Sequence, residues 1–309
     1  MHGWIILDKP VGLGSTQGVS AVKRALREGG YGKFKVGHGG TLDPLASGVL
    51  PIAIGEATKL AGRMLDSDKV YDFTIAFGVE TDTLDGEGVE IARSDVRPTL
   101  ADVEAVLLRF TGSIEQVPPA YSALKVDGQR AYDLARAGED VVLASRSVVI
   151  HSLSLKCHPR ESGGDKERSR GNDEVVESIT LTAHVSKGTY IRSLARDIAK
   201  ALGTVGHVTM LRRTKAGPFT LADAISLDKL AELGHGRALE DKLLPLRAGL
   251  DDIPALSLTP DQAGLLRQGR VLIGIAADDG LHFAISDDVP VALVEVQDRE
   301  VRVVRGFNL

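Results

Sequence analysis

Apolar and polar positions alternate with two different periods along this chain, and the alternation marks out its elements. Residues 3–7 form a compact apolar run stopped by Lys9-Pro10, which predicts a first strand, and Pro10-Val11-Gly12 predicts a turn. Ser15 or Thr16 is then placed to cap a helix that runs to Arg27 and ends at Gly29-Gly30-Tyr31-Gly32. Residues 33–36 return as a short extended segment, 49–54 have the unbroken apolar character of a buried strand, and 55–65 read as helical. Residues 70–77 alternate as a strand, 80–88 are a loop rich in Asp, Thr and Gly, and Pro98-Thr99-Leu100 opens an amphipathic helix to Phe110. Val117-Pro118-Pro119 cannot sit inside a strand, because proline donates nothing to a ladder. A short helix is expected over 132–137, a strand over 147–155, and a clear helix over 190–202, closed by Gly203.

Two stretches break this rhythm. Residues 159–173 are polar and charged with no aliphatic side chain, and they separate the strand-like runs 151–156 and 175–185. A disordered hairpin insertion is the expectation there. From Ile253 onward the pattern changes to a short helix (260–268) and brief strands such as 291–296 and 301–304. That predicts a main domain over 1–250 and a small β-domain over 251–309, near the lower size limit for independent folding.

Composition narrows the class. Apolar residues are 43% and charged residues 26%, ordinary for a soluble globular protein. No stretch approaches the roughly 20 apolar residues of a membrane helix, and the first residues lack the basic start of a signal peptide, so a cytoplasmic protein is expected. The single cysteine, Cys157, excludes an internal disulfide and a multi-cysteine zinc site. A net charge of −5 and a pI near 5.9 argue against nucleic acid when taken alone. The distribution argues the other way. Residues 184–220 hold seven bases (Lys187, Arg192, Arg196, Lys200, Arg212, Arg213, Lys215) against one acid, Asp197, and a basic face on an acidic protein is enough to bind phosphate. Solvated helix faces would produce the same charge pattern.

Three segments hold candidate chemistry. In Gly37-His38-Gly39-Gly40-Thr41-Leu42-Asp43-Pro44 the glycines permit close approach of backbone to a ligand, and Pro44 pushes Asp43 toward an extended conformation. A carboxylate so placed suits a nucleophile or general base, although spacing alone favours a turn in which Asp43 bonds its own backbone. Leu42 stands where a dinucleotide-binding loop needs glycine, and no Gly-Lys-Ser/Thr follows, so a phosphate-cradling loop is excluded. His38 has no His or Cys at ligand spacing, and a hydrogen-bonding or stacking role is expected rather than a metal. The loop Asp82-Thr83-Leu84-Asp85-Gly86-Glu87 lacks the alternate acids of a calcium loop and reads as a solvated turn. In 186–194 a strand turns through Lys187-Gly188 into a helix with Tyr190 and Arg192 at its entrance, where arginine can pair with a carboxylate or phosphate; an ordinary exposed first turn fits equally well. In 116–125 a stiff Pro118-Pro119 element is followed by Tyr121 and Lys125.

Together these segments resemble the bacterial tRNA pseudouridine-55 synthases, the TruB family. The resemblance rests on Leu7-Asp8-Lys9-Pro10-Val11-Gly12, on 36–51, on Gly55-Glu56-Ala57-Thr58-Lys59, on Lys69-Val70-Tyr71, on 116–125, on 187–194 and on Leu211-Arg212-Arg213, in family order. It implies an α+β fold, a mixed and mainly antiparallel central sheet flanked by helices, with a small C-terminal β-barrel-like PUA domain that binds RNA. The implied partner is the T-loop and stem of tRNA, with the protein a monomer, and the implied reaction uses no cofactor and no metal. By the same resemblance Asp43 is the catalytic carboxylate, Tyr71 stacks on the flipped base, and Arg192 pairs with Asp43. Tyr190 and Leu211 line the uracil pocket, His38 helps hold the extruded RNA, and Lys9 and Pro10 support the catalytic loop. Base flipping fits this residue set, since an extruded base needs aromatic faces and a small polar pocket. The chain departs from the family at Gly14, where threonine is usual and one polar contact is expected to be lost. Gly40 stands where Thr or Ala is frequent and is expected to loosen the loop, and the 159–173 insertion is longer than usual. A non-catalytic RNA-binding or chaperone protein on the same fold is the alternative, disfavoured by the intact Asp43, Tyr71 and Arg192.

Overall fold

A computed structural model describes residues 1–309 apart from 157–173 and the single positions 123, 127 and 140, so the expected insertion at 159–173, and Cys157, lie outside the described residues. A ten-stranded sheet organises the larger part of the chain. Its order is Leu244–Pro245, Gly3–Lys9, Ser47–Ile54, Gly206–Ala216, Lys69–Phe77, Ser178–Val185, Arg146–Leu155 and Gly112–Gln116, with Val36–His38 and Phe219–Thr220 attached to its side. The sheet is mixed, as expected. Its ladders are antiparallel except where Gly206–Ala216 runs parallel to Ser47–Ile54, with Arg212 opposite Ser47 and Arg213 opposite Gly48.

The two hydrophobic patterns in the strands follow from what covers each face. On one face the helices Ser15–Glu28, Leu100–Leu107, Ile191–Ala201 and Leu227–His235 bring Val22, Val103, Ile198 and Leu230 into a single core with Ile5, Leu7, Leu50, Ile52, Phe73 and Ile75. On the other face Trp4, Ile6, Val49 and Ala53 enter a second core with Leu60, Met64, Phe219 and the C-terminal Phe283 and Phe307. Successive residues of Gly3–Lys9 and Ser47–Ile54 therefore point into two different cores, and both strands read as unbroken apolar runs. In Lys69–Phe77 the side chains of Phe73, Ile75 and Phe77 enter the first core with Tyr71 packed against it, while Asp72 and Thr74 face polar partners on Ser178–Val185, so this strand alternates.

Several expected elements end differently. The helix Ser15–Glu28 is capped by Gly14, whose N–H donates to Gln17 Oε1 (2.7 Å), and not by Ser15 or Thr16. Ser15 is occupied elsewhere: its hydroxyl accepts from Leu42 N–H (2.8 Å) and donates to Leu42 O (2.9 Å). The helix expected over 55–65 is a 3₁₀ segment, Gly55–Leu60, followed by a short α-helix, Ala61–Asp66. The helix after Pro98 is α-helical over Leu100–Leu107 and tightens to 3₁₀ over Leu108–Phe110, a common way to close a last turn.

The C-terminal residues form a second, five-stranded sheet in the order Ala255–Ser257, Gly280–Ser286, Val289–Gln297, Glu300–Gly306, Leu272–Ile273, with the helix Pro260–Arg267 beside it. Leu256, Leu266, Val294 and Val296 belong to its own core. Phe283, Leu293 and Phe307 instead pack with Trp4 and Phe219 of the central sheet. Trp4 is fully buried, stands 5.3 Å from the Phe219 ring and donates Nε1–H to Leu246 O (3.2 Å).

Candidate active site

The loop carrying Asp43 lies between Val36–His38 and Ser47–Ile54 and is held by polar side chains from several directions. From below, the fully buried Lys9 donates from Nζ to Pro10 O (2.9 Å), Leu13 O (2.6 Å) and Pro44 O (3.4 Å). From behind, Arg213, only 1% exposed, donates to Val49 O (2.8 Å), Thr41 O (3.3 Å) and Gly40 O (3.2 Å). Ser15 clamps Leu42 as described. A loop whose carbonyls are engaged by buried cations has little freedom to reorient, which presents the Asp43 carboxylate in a fixed direction. Gly40 belongs to this arrangement rather than loosening it: its φ of +135° is a conformation that side-chain-bearing residues rarely adopt.

Asp43 is 44% exposed at the side chain and accepts from Arg192 Nη2 at 2.8 Å. Arg192 is buried and engaged at both terminal nitrogens. Its Nη1 donates to Thr83 O (2.8 Å) and sits 3.3 Å from Asp85 Oδ2, and its Nη2 also donates to Tyr121 O (3.0 Å). One guanidinium thus bridges a buried carboxylate, Asp85, and a solvent-facing one, Asp43. Arg192 occupies the first turn of Ile191–Ala201, and the entrance to that helix is set by Gln116, which donates Nε2–H to Tyr190 O (3.1 Å) and accepts Tyr190 N–H at Oε1 (2.8 Å). The Tyr190 ring carries the Arg146 guanidinium 5.1 Å above its centroid.

Asp43, Tyr71, Tyr190, Arg192 and Leu211, singled out on separate segments, line one cleft of about 320 Å³. That size suits a small planar ligand, and the walls join apolar and aromatic surface to a carboxylate, as ligand clefts commonly do. Lys69 lies in the same wall, its pKa lowered to about 8 by burial, with Arg213 adding to the effect. Burial likewise lowers Lys9 to about 8, with Asp43 opposing and Arg213 reinforcing the shift. Lys9 and Pro10 lie outside the cleft, below the loop. His38 is not part of the lining; its Nδ1 is buried without a hydrogen-bond partner among the described residues, and its pKa is lowered by burial and by Arg213.

The N-terminal family model for TruB family pseudouridylate synthases matches residues 25–191, and the model for the tRNA pseudouridylate synthase B C-terminal domain matches 192–251. The chain belongs to the TruB family. It is 67% identical over 309 residues to tRNA pseudouridine synthase B of Novosphingobium aromaticivorans, covering 100% of this chain and 98% of that one. It is 59% identical over 308 residues to the protein of the same name from Zymomonas mobilis, covering 100% and 96%. Among solved structures, the TruB-family fold is shared with a chain of a Cbf5–Nop10–Gar1 complex (TM-score 0.70, 24% identity, covering 99% of this chain and 84% of that one). It is shared also with a chain of an H/ACA RNP bound to a substrate RNA containing 2′-deoxyuridine (TM-score 0.69, 23% identity, covering 99% and 85%).

Two expectations need correction. The loop around Asp82 to Glu87 is not a solvated turn. Its flanks pair as Val79–Thr81 with Glu90–Arg93, Val208 N–H donates to Leu84 O (3.0 Å), and Asp85 is only 4% exposed, facing Arg192. Six of the seven bases of 184–220 are buried or paired with acids of the same chain. Arg213 is buried, Arg192 serves Asp43 and Asp85, and Lys187, Arg196, Lys200 and Arg212 pair with Asp66, Asp197, Glu80 and Asp8. Asp85, Gln116, Lys69 and Arg213 were not assigned roles from the sequence. Nothing in local spacing marks a buried acid or base whose partner is remote in the chain, though Asp85, the last acid of its loop before Gly86, carries no distinguishing signal either.

Proposed function

We propose that this protein isomerises uridine 55 in the T-loop of tRNA to pseudouridine, with Asp43 as the catalytic carboxylate. The observation that carries the proposal is Asp43, held by Arg192 at the edge of a cleft walled by Tyr71, Tyr190 and Leu211. Its relatives named tRNA pseudouridine synthase B supply the substrate class. The reaction breaks the ribose C1′–N1 bond, forms C1′–C5, and over the whole cycle loses a proton at C5 and gains one at N1, so it is redox-neutral. The uridine leaves the RNA stack to reach the cleft, with an aromatic face replacing the stacking it gives up. Tyr71 stacks on the base, Tyr190 and Leu211 fix its plane, and Asp43 attacks at C1′ or C6 or assists glycosidic cleavage. His38, outside the cleft, contacts the extruded strand, while Lys9 and Pro10 support the loop.

In this reading residues 1–250 are the catalytic unit and 251–309 a PUA-like RNA-binding unit, whose last strand presents Arg302 and Arg305 outward. The protein works in the cytoplasm as a monomer. Asp43→Asn removes the charge with little change of shape. The expected outcome is loss of pseudouridine formation in a T-loop RNA, read by chemical mapping, with tRNA affinity within a few-fold of wild type. Pseudouridine formation at near wild-type rate in that variant would overturn the assignment.

A further inference from the structure

On the face of the sheet opposite the cleft, three side chains from separate segments converge. His151 lies on Arg146–Leu155, His184 on Ser178–Val185, and Asp68 immediately before Lys69–Phe77. Their ligand atoms all lie within 4.8 Å of one another. His151 Nε2 stands 3.1 Å and His184 Nε2 3.8 Å from the same oxygen, Asp68 Oδ2. We propose that Asp68, His151 and His184 form a binding site for a divalent first-row transition ion such as Zn²⁺.

The distances fit that use. Ligands about 2.1 Å from an ion at tetrahedral angles stand about 3.4 Å apart, between the two separations observed. A hydrogen bond accounts for one contact only: at 3.8 Å the second imidazole is beyond hydrogen-bond distance, yet it stays close to the same oxygen. A metal accepts both nitrogens and the carboxylate together. Two imidazoles and one carboxylate suit zinc, cobalt or nickel, whereas calcium and magnesium take oxygen ligands.

The backbone is shaped to bring the histidines together. The register between their strands shifts between Ile150 and Ser152, so that His151 and Ser152 both stand against His184. A bulge of this kind adds one residue to a strand and re-aims a side chain. The imidazole rings end 4.7 Å apart. Asp68 is held in turn, since its carbonyl accepts from Gly217 N–H (3.0 Å).

The surroundings select a cation. Asp68 and His184 open on a pocket of about 490 Å³ that also holds Asp66, Asp251 and Asp252, against Arg63 and Lys215. Arg63 is already paired with Asp252 at 2.9 Å. A phosphate would meet mostly carboxylates there. All three ligands are partly exposed, leaving room for water to complete the shell. The bound ion ties the segment before the Tyr71 strand to the next two strands of the sheet, Ser178–Val185 and Arg146–Leu155, and its role is structural. No metal was expected from the sequence, because the two histidines are too far apart in the chain for ligand spacing to reveal them.

The test uses the full chain stripped by a chelator and titrated with Co²⁺, followed by visible absorption, and with Zn²⁺, followed by calorimetry. The expected result is one ion per chain at micromolar affinity. Losing an outer-shell partner of a metal costs about 10–100-fold in affinity, so removing a direct ligand through His151→Gln, His184→Gln or Asp68→Asn weakens binding at least tenfold. The substitutions lie on partly exposed side chains, and far-UV circular dichroism confirms that each variant folds. A Cys157→Ser, His158→Gln variant, altered outside the described residues, binds as wild type. The proposal is overturned by absence of saturable binding below about 100 µM, a concentration at which a site of micromolar affinity is nearly full. It is overturned equally if His184→Gln binds within twofold of wild type, or if binding is lost in the Cys157, His158 variant.

Discussion

At the scale of single residues, Arg192 holds Asp43 at the cleft, and two lysines near it, Lys69 in its wall and Lys9 below the loop, have lowered pKa values. Arg192 spends one side of its fork on Asp85 and Thr83 O and the other on Asp43 and Tyr121 O. Asp85→Asn keeps the shape but removes the charge that steadies the guanidinium, and small displacements of a catalytic group cost about a hundredfold in rate. We expect kcat to fall by about that factor with KM changed much less, measured by single-turnover and steady-state kinetics on a T-loop RNA. Lys9 and Lys69 titrate at about 8 because burial disfavours their charge. The unfolded chain holds those protons up to about 10.4, so between these values it binds more protons than the folded one. The contribution of both lysines to stability therefore rises with pH from about 8 to about 10.4; below 8 both states are protonated and the cost of burying the charge is fully present. Denaturant unfolding at several pH values checks this, and Lys69→Met should show a smaller rise than wild type across that window.

Among the elements, the Asp43 loop and the strand that follows it show how a motif becomes a geometry. Gly48 pairs with Arg213 across the parallel ladder of the ten-stranded sheet at φ +101°, and a Cβ there would stand 2.1 Å from Arg213 O. Gly48→Ala brings both a strained backbone and a backbone clash, each worth about 1–3 kcal/mol. Its stability in urea is expected to fall by at least that amount, and pseudouridine formation with it, since the same displacement shifts the Arg213 contacts to Gly40 and Thr41. The element types were legible because hydrophobic period reports burial directly. The ends were less so: Gly14 takes the cap because Ser15 is drawn to Leu42, a contact between segments that local propensity does not contain. Asp82 to Glu87 read as solvated for the same reason, since acidic loop residues are ordinary surface unless a buried arginine is brought to them.

For the whole molecule, the C-terminal sheet is part of the catalytic body's packing. Phe283, Leu293 and Phe307 share a core with Trp4, Val49 and Phe219, so deleting 251–309 exposes apolar surface behind the strands that carry the Asp43 loop. Each large side chain uncovered costs about 1.5–3 kcal/mol, and a truncated chain is expected to unfold at markedly lower denaturant, whereas the full chain unfolds in one transition. Calorimetry and urea titration read both outcomes. The sequence by itself determined the order and kind of most elements, the two sets of strands and the family, because burial period and motif order are local properties of the chain. It also marked Asp43, Tyr71, Tyr190, Arg192 and Leu211, each within its own motif. Only the tertiary structure decided that these five line one cleft, that Asp85 backs Arg192, that most of the basic stretch is paired internally, and that Asp68, His151 and His184 meet. Those facts depend on pairings between residues far apart in the chain, which sheet register and packing set and which no window of sequence contains.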